Sequence, residues 1–220
     1  MYRFFAYEKI NDSFILDNEL INHLKVIRIK DKEFLINFEN EFYLCKYEYP
    51  DKANIIKKLD INNEIDQDII VAIPLIKQAN FEIALQKCTE LGVKRIYPFI
   101  SEFCDKSNLK FENKKQRYQK IILEAAQQSF RNKIPYLEDP IDFDKLISLN
   151  IKNKILAYEK EFNNALNNKY EEVLLIVGPE GGFSKQEIEK AKENNVSIVA
   201  LTKSILRAET AIIYMVSKIN

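Results

Sequence analysis

From Ile69 onward the chain alternates two patterns that together fit one class of fold. Ile69-Ile70-Val71-Ala72-Ile73 is an unbroken apolar run of strand length. Such a run suits a strand covered on both faces, as in a parallel sheet flanked by helices. Phe81–Leu91 follows with apolar residues at 81, 84, 85, 88 and 91, a helical period, and Gly92 offers a stop. The alternation recurs. Strands are predicted at 93–100, 154–158, 172–177 and 196–201, and helices at 111–130, 185–194 and 207–219. The fold class is therefore α/β, with a mostly parallel sheet.

The first 66 residues read differently. Phe34, Ile36 and Phe38 alternate, Glu39-Asn40-Glu41 can turn, and Phe42, Leu44 and Lys46 alternate against Tyr43, Cys45 and Tyr47. A further strand fits Asn54–Leu59, and Asn18–Ile27 is a short helical stretch. Several short strands in so little chain suggest a small barrel or sandwich. The polar run Asp60–Asp68 serves as a linker, giving domains at 1–66 and 67–220.

Glycine is scarce and clustered. At the usual frequency of roughly 7% this length would carry about fifteen. The chain has 4, three of them in Gly178-Pro179-Glu180-Gly181-Gly182. The cluster follows the apolar run Val173–Val177, so it lies at the carboxyl end of a buried strand, where open α/β sheets bind ligands. It is no Walker A loop, because no Lys-Ser/Thr follows, and it lacks the dinucleotide spacing G-x-G-x-x-G. A plain strand-to-helix turn and a backbone-lined ligand loop both fit these residues. Leu201–Ala211 opens the last helix at the same sheet edge. Glu209 suits a helix start and Thr210 can cap it, whereas Arg207 opposes the dipole and invites an anionic or electron-rich partner.

Composition removes several classes. Formal net charge is +0, so no global field points to nucleic acid or membrane. Charge is nonetheless uneven: residues 105–133 hold eight basic and three acidic side chains. On the helix in that stretch, Arg117, Lys120 and Arg131 share a face with glutamines, which suits either solvent or a phosphate backbone. Cys45, Cys88 and Cys104 form no C-x-x-C pair and read as reduced structural thiols of a cytoplasmic protein. The single His23 has no partner for metal chemistry, and no metal site is expected. No run reaches the ~18 residues of a membrane span, and the N-terminus does not read as a signal peptide.

In order along the chain, these segments resemble the RsmE-type methyltransferases of the SPOUT (α/β-knot) superfamily. The resemblance rests on Arg3-Phe4-Phe5, His23-Leu24-x-x-x-Arg28, Lys87-Cys88-Thr89-Glu90-Leu91-Gly92-Val93 and Glu124-Ala125-x-Gln127-Gln128-Ser129-x-Arg131. It rests further on Gly178–Ser184 and Ile205-Leu206-Arg207-x-Glu209-Thr210-Ala211. The resemblance implies a PUA-like β-barrel for RNA, then a trefoil-knotted methyltransferase domain that forms a homodimer. It implies transfer of a methyl group from S-adenosylmethionine to N3 of a uridine in 16S rRNA, naked or in the small ribosomal subunit.

By the same resemblance, the cofactor is held by Ala157, Tyr158, Val177, Gly178, Pro179, Glu180, Gly181, Leu201, Ser204, Ile205 and Leu206. Arg207, Glu209 and Glu180 are the catalytic candidates, with the choice of proton acceptor between the two glutamates open. Arg3, His23, Arg28, Arg117, Lys120 and Arg131 are the candidates for RNA. Three positions depart from the family pattern. Thr202 stands where glycine is usual, Ser101-Glu102-Phe103-Cys104-Asp105 lacks an arginine, and Ala208 replaces a threonine. Two other readings stay open: a SPOUT enzyme acting on a ribose 2′-hydroxyl or another base, and a non-enzymatic RNA-binding assembly factor.

Overall fold

A computed structural model describes residues 1–104, 110–161, 164–166 and 170–219. Asp105 and the start of the basic stretch lie outside the described residues. The chain divides into two compact units, Met1–Glu64 with Gln127–Lys133, and Ile65–Ala126 with Ile134–Asn220.

The first unit is a six-stranded mixed sheet. Its strands are β1 (Arg3–Phe5), β2 (Glu8–Ile10), β3 (Ser13–Ile15), β4 (Glu33–Phe38), β5 (Glu41–Glu48) and β6 (Lys52–Leu59), in the order β1-β4-β5-β6-β3-β2. Only β1 and β4 run parallel. Glu39 and Asn40 turn the β4–β5 hairpin with φ of 52° and 69°, as a two-residue turn of matching twist demands. Helix α1 (Asn18–Val26) starts where the Asp17 carboxylate accepts the Leu20 N–H. Its Leu20, Ile21 and Leu24 join Phe14, Phe34 and Ile36 in the core.

The segment 127–133 belongs to this first unit, which a single cut near residue 66 does not anticipate. A buried polar hub holds it there. Arg131 donates from Nε and an Nη to both Glu64 oxygens at 2.8 and 2.7 Å, and these two side chains are only 3% and 7% exposed. Asn132 and Lys133 add backbone N–H donors to Glu64 Oε1. The Asn132 amide donates to the carbonyls of Asn40 and Ile61 and accepts from the Asn63 N–H. Charges this deep persist only when paired on all sides.

The second unit is a seven-stranded sheet in which every pairing is parallel. Strands β7 (Asp68–Pro74), β8 (Arg95–Ile100), β10 (Ile141–Asp142), β11 (Lys154–Ala157), β12 (Glu172–Ile176) and β13 (Ser197–Val199) lie in the order β10-β8-β7-β12-β11-β13. The short β9 (Tyr136–Leu137) pairs with the start of β8. The unbroken apolar runs are explained by the pleat. Ile69, Val71, Ile73, Val173 and Leu175 face one core with Phe81, Tyr118 and Ile212. Ile70, Ala72, Leu174 and Ile176 face the other with Phe143, Phe183 and Ile188.

Helices α2 (Gln78–Glu90), α3 (Lys115–Gln128) and α6 (Ala208–Ile219) cover the first face. Helices α4 (Phe143–Ile147) and α5 (Lys185–Glu193) cover the second. Strands β9 and β10 and helix α4 are too short for a periodic signal and were not anticipated from sequence.

Candidate functional site

Strands β12, β11 and β13 are neighbours in the sheet although 14 residues separate β11 from β12 along the chain and 20 separate β12 from β13. Their carboxyl ends therefore deliver three loops side by side: Val177–Gly182, Tyr158–Glu161 and Ala200–Arg207. This is the edge at which open α/β sheets bind ligands.

In the glycine turn, the Gly182 N–H closes on the Pro179 carbonyl at 2.9 Å, and Gly182 takes φ of +73°. A side chain is disfavoured there by backbone strain. Gly181 is required for a different reason. A Cβ added to it would sit 2.8 Å from Phe103 Cβ, so the segment after β8 presses directly on the turn. Beneath the turn, Phe183 packs on Phe99 and Phe143 with ring centroids 6.5 and 5.5 Å away. Val177 and Pro179 are buried, Gly178 half-buried, and Glu180 exposed with its carboxylate 3.4 Å from the Lys77 N–H.

The other two loops meet this one. The Tyr158 N–H donates to the Val199 carbonyl at 2.9 Å, tying the β11 loop to β13, and Ala157 and Tyr158 are half-buried. The Glu159 carboxylate reaches the glycine turn, with an oxygen 3.3 Å from where a Gly182 Cβ would stand. In the β13 loop, Leu201 and Leu206 are half-buried while Ser204 and Ile205 are exposed. Thr202 has no positive φ, so a side chain is accommodated at the position where the resembled family has glycine. Its hydroxyl donates to the Ser204 carbonyl at 2.6 Å and braces the loop.

Helix α6 opens with the Ala211 N–H on the Arg207 carbonyl. Thr210 thus lies inside the first turn and does not cap the helix, correcting that expectation. Arg207 is exposed. Glu209 is 9% exposed, and its Oε2 has no hydrogen-bond partner among the described residues. Buried carboxylate oxygens are normally satisfied, so a donor from a ligand fits this one.

Burial disfavours the thiolate form at all three cysteines. Burial pushes Cys45 and Cys88 up to about 12. Cys104 is raised first by burial and further by the nearby Glu187 and Glu180 charges. No group of three metal-ligating side chains exists among the described residues.

The RNA candidates divide. In the first unit His23 and Arg28 are exposed, and the His23 ring meets Phe4 edge-on at 5.3 Å. Arg3 donates to the Gln128 carbonyl at 2.9 Å and lies over the Phe130 ring, where a cation complements a helix carboxyl end. Arg131 is buried on Glu64, so its expected place on an RNA-facing surface is corrected: the guanidinium is committed inside the fold. In the second unit Lys120 is exposed, and Arg117, 63% exposed, is held by both Glu82 oxygens at 2.6 and 2.9 Å. Sequence reading set a cofactor loop near Ala157–Glu159 without a role for the Glu159 carboxylate, and missed Phe103 and Glu187. Only Glu187 carried a signal, as the last residue of the capping box Ser184-Lys185-Gln186-Glu187.

Residues 63–220 match the model of the RNA methyltransferase domain family. The ribosomal RNA small subunit methyltransferase E of Mesomycoplasma hyopneumoniae is 40% identical over 99% of this chain and 98% of its own length. Its Aquifex aeolicus counterpart is 30% identical over 99% and 98%. Among solved structures, the Legionella pneumophila protein Lpg2936, in complex with the bound cofactor SAM, superposes with a TM-score of 0.90 at 26% identity, covering 99% of this chain and 96% of that one. The Neisseria gonorrhoeae ribosomal RNA small subunit methyltransferase E bound to S-adenosyl methionine gives 0.88 at 25% identity, covering 99% and 95%.

Proposed function

The chain belongs to the RNA methyltransferase family, and from that premise we propose that it methylates N3 of a uridine in 16S rRNA with S-adenosylmethionine as donor. The observation that carries the reading is the convergence of three loops from adjacent parallel strands around a glycine turn where the backbone itself forms the wall. The residues fit the cofactor. Gly181 and Gly182 let Phe103 and the Glu159 carboxylate close on the turn, and Glu159 and the exposed Glu180 supply carboxylates for a cationic ligand. The reading includes a trefoil knot in the second unit, a PUA-like barrel in the first, a cytoplasmic homodimer, and RNA held by His23, Arg28, Arg117 and Lys120. Relatives named for ribosomal RNA and the exposure of these cations support it.

S-adenosylmethionine, when bound, supplies an electrophilic methyl on a sulfonium sulfur. Uridine N3 carries a proton and is a poor nucleophile until that proton leaves. Arg207, exposed at the start of α6, stabilises the uracil anion that results. Glu209 is the better placed acceptor: it is two residues away, buried, and has an oxygen unclaimed by donors among the described residues, whereas a Glu180 oxygen faces the Lys77 N–H. The N3–C bond forms as the C–S bond breaks, and the N3 proton has gone to the carboxylate or through it to water.

The test is mass mapping of 16S rRNA from cells with and without the protein, followed by methyl transfer with purified variants. Arg207→Ala and Glu209→Gln are expected to lower turnover by about a hundredfold while the cofactor still binds. Full activity in Arg207→Ala, or an unchanged methylation map in the deletion, would overturn the assignment.

A further inference from the structure

One buried carboxylate outside the three loops bonds both the start of the helix after the glycine turn and the segment after β8. Glu187 is the third residue of α5, and its Oε2 accepts the Ser184 N–H at 2.9 Å while the Ser184 hydroxyl accepts the Glu187 N–H at 3.2 Å. That is an ordinary capping box. The other oxygen is not spent on the helix. Oε1 accepts the Ser101 hydroxyl at 2.8 Å and the Glu102 N–H at 3.0 Å, both from the segment that follows β8. In the sheet β8 is separated from β12 by β7, so these bonds tie the end of β8 to the helix that follows the non-adjacent β12. Glu187 is 7% exposed, so water does not compete for these bonds.

The tether has a consequence at the glycine turn. The next residue, Phe103, lies against Gly181 closely enough to exclude a Cβ, yet the residue is 48% exposed. An aromatic left so open is not there for core burial. Its backbone is held from behind, where the Cys104 N–H closes on the Ser101 carbonyl at 3.1 Å. One side chain therefore fixes both the helix that leaves the glycine turn and the wall that faces it.

We propose that Glu187 is a positioning residue, which through Ser101 and Glu102 holds Phe103 against Gly181 and so sets the glycine turn in its cofactor-binding shape. This rests on the assignment of S-adenosylmethionine to that turn. The chemistry requires a carboxylate. Two backbone N–H groups, of Ser184 and Glu102, point at opposite oxygens. A glutamine offers one acceptor and one donor, so one of those N–H groups would face another N–H.

The test uses the full chain without cofactor and then with it. In the free protein, Glu187→Gln is expected to speed amide hydrogen exchange across 101–104 and 178–182 by about tenfold or more while the remaining sheet keeps its protection. Calorimetry with S-adenosylmethionine is expected to show affinity about tenfold weaker or worse in Glu187→Gln and in Phe103→Ala. The double variant should be no weaker than the worse single one, because the two residues act as a unit. Penalties that multiply, or unchanged exchange across 101–104, would refute the proposal. If Glu187→Gln does not fold, Ser101→Ala removes one bond of the tether and must still raise exchange there. Failure of the wild-type protein to bind the cofactor sinks the functional reading, while the exchange experiment still decides the tether.

Discussion

Arg131 separates a structural from an RNA-facing role most sharply. Its guanidinium and the Glu64 carboxylate are 3% and 7% exposed and joined by two bonds of 2.8 and 2.7 Å. Replacing Arg131 by methionine keeps most of the volume and removes the charge. Glu64 is then left buried with only the backbone N–H groups of Asn132 and Lys133. Breaking a buried pair from one side costs about 3–5 kcal/mol. For a chain of this size each kcal/mol moves the melting midpoint by about 2–4 °C, so a drop of about 6–20 °C is expected in thermal unfolding at pH 7. Arg131→Lys should fall between, since it keeps the charge but not the two-pronged geometry. Well below the midpoint, RNA affinity and its salt dependence should match the wild type. A variant that melts normally but binds RNA more weakly, with a shallower salt slope, would show that the guanidinium works at the surface.

Acid should act through the same pair. Burial pushes the Glu64 carboxyl up, but the bonds and charge of Arg131, with the Lys133 and Asn132 N–H groups, outweigh it and hold it below 4.5. Because the folded value is the lower one, this contribution is complete above the unfolded carboxylate value and disappears as pH falls through the folded value. Denaturant midpoints measured from pH 7 to 3 should stay level and then drop below about pH 4.5, with a shallower drop in Arg131→Met; equal slopes would remove Glu64 as the cause. At the glycine turn, Gly181→Ala should lower stability by about 1–3 kcal/mol through collision with Phe103. Adding Phe103→Gly should recover most of that loss in the same melting assay, and no recovery would place the strain elsewhere. Arg28→Glu and Lys120→Glu should each weaken RNA binding and lessen its salt dependence by about one counterion or more, while calorimetry shows unchanged cofactor affinity. A loss of cofactor affinity in either variant would contradict the assignment.

How much of this was legible follows from the length over which each signal repeats. The run Ile69–Ile73 announced a two-faced strand because the pleat sends alternate residues into two cores, and both had to be apolar. Strand β10 and helix α4, at two and five residues, are shorter than any period; β10 is fixed by pairing with β8 and α4 by packing in the second core. The glycine cluster marked the turn, but the reason for Gly181 lay in Phe103, some eighty residues earlier, and no local pattern carries such a contact. Arg131 misled for a related reason. Its row of basic neighbours looked solvated, while its partner Glu64 sat in a stretch read as a linker. Charge pairing across that distance is visible only once the chain has folded.

The strand order also explains why the candidate site is built from loops and not from one motif. Tyr158, Val177 and Ala200 follow strands that are adjacent in space, with β11 lying between β12 and β13. No single loop encloses a ligand there. Enclosure comes from the contacts between them: Glu159 beside Gly182, the Tyr158 N–H on Val199, and Phe103 on Gly181. The charges are sorted in the same way. Carboxylates at 159 and 180 stand on two of these loops and Glu209 in the first turn of α6, while Arg207 is the one arginine on the loops and is exposed at the helix start. On the proposed function, a positively charged donor lies within the loops and an electron-rich acceptor at their rim.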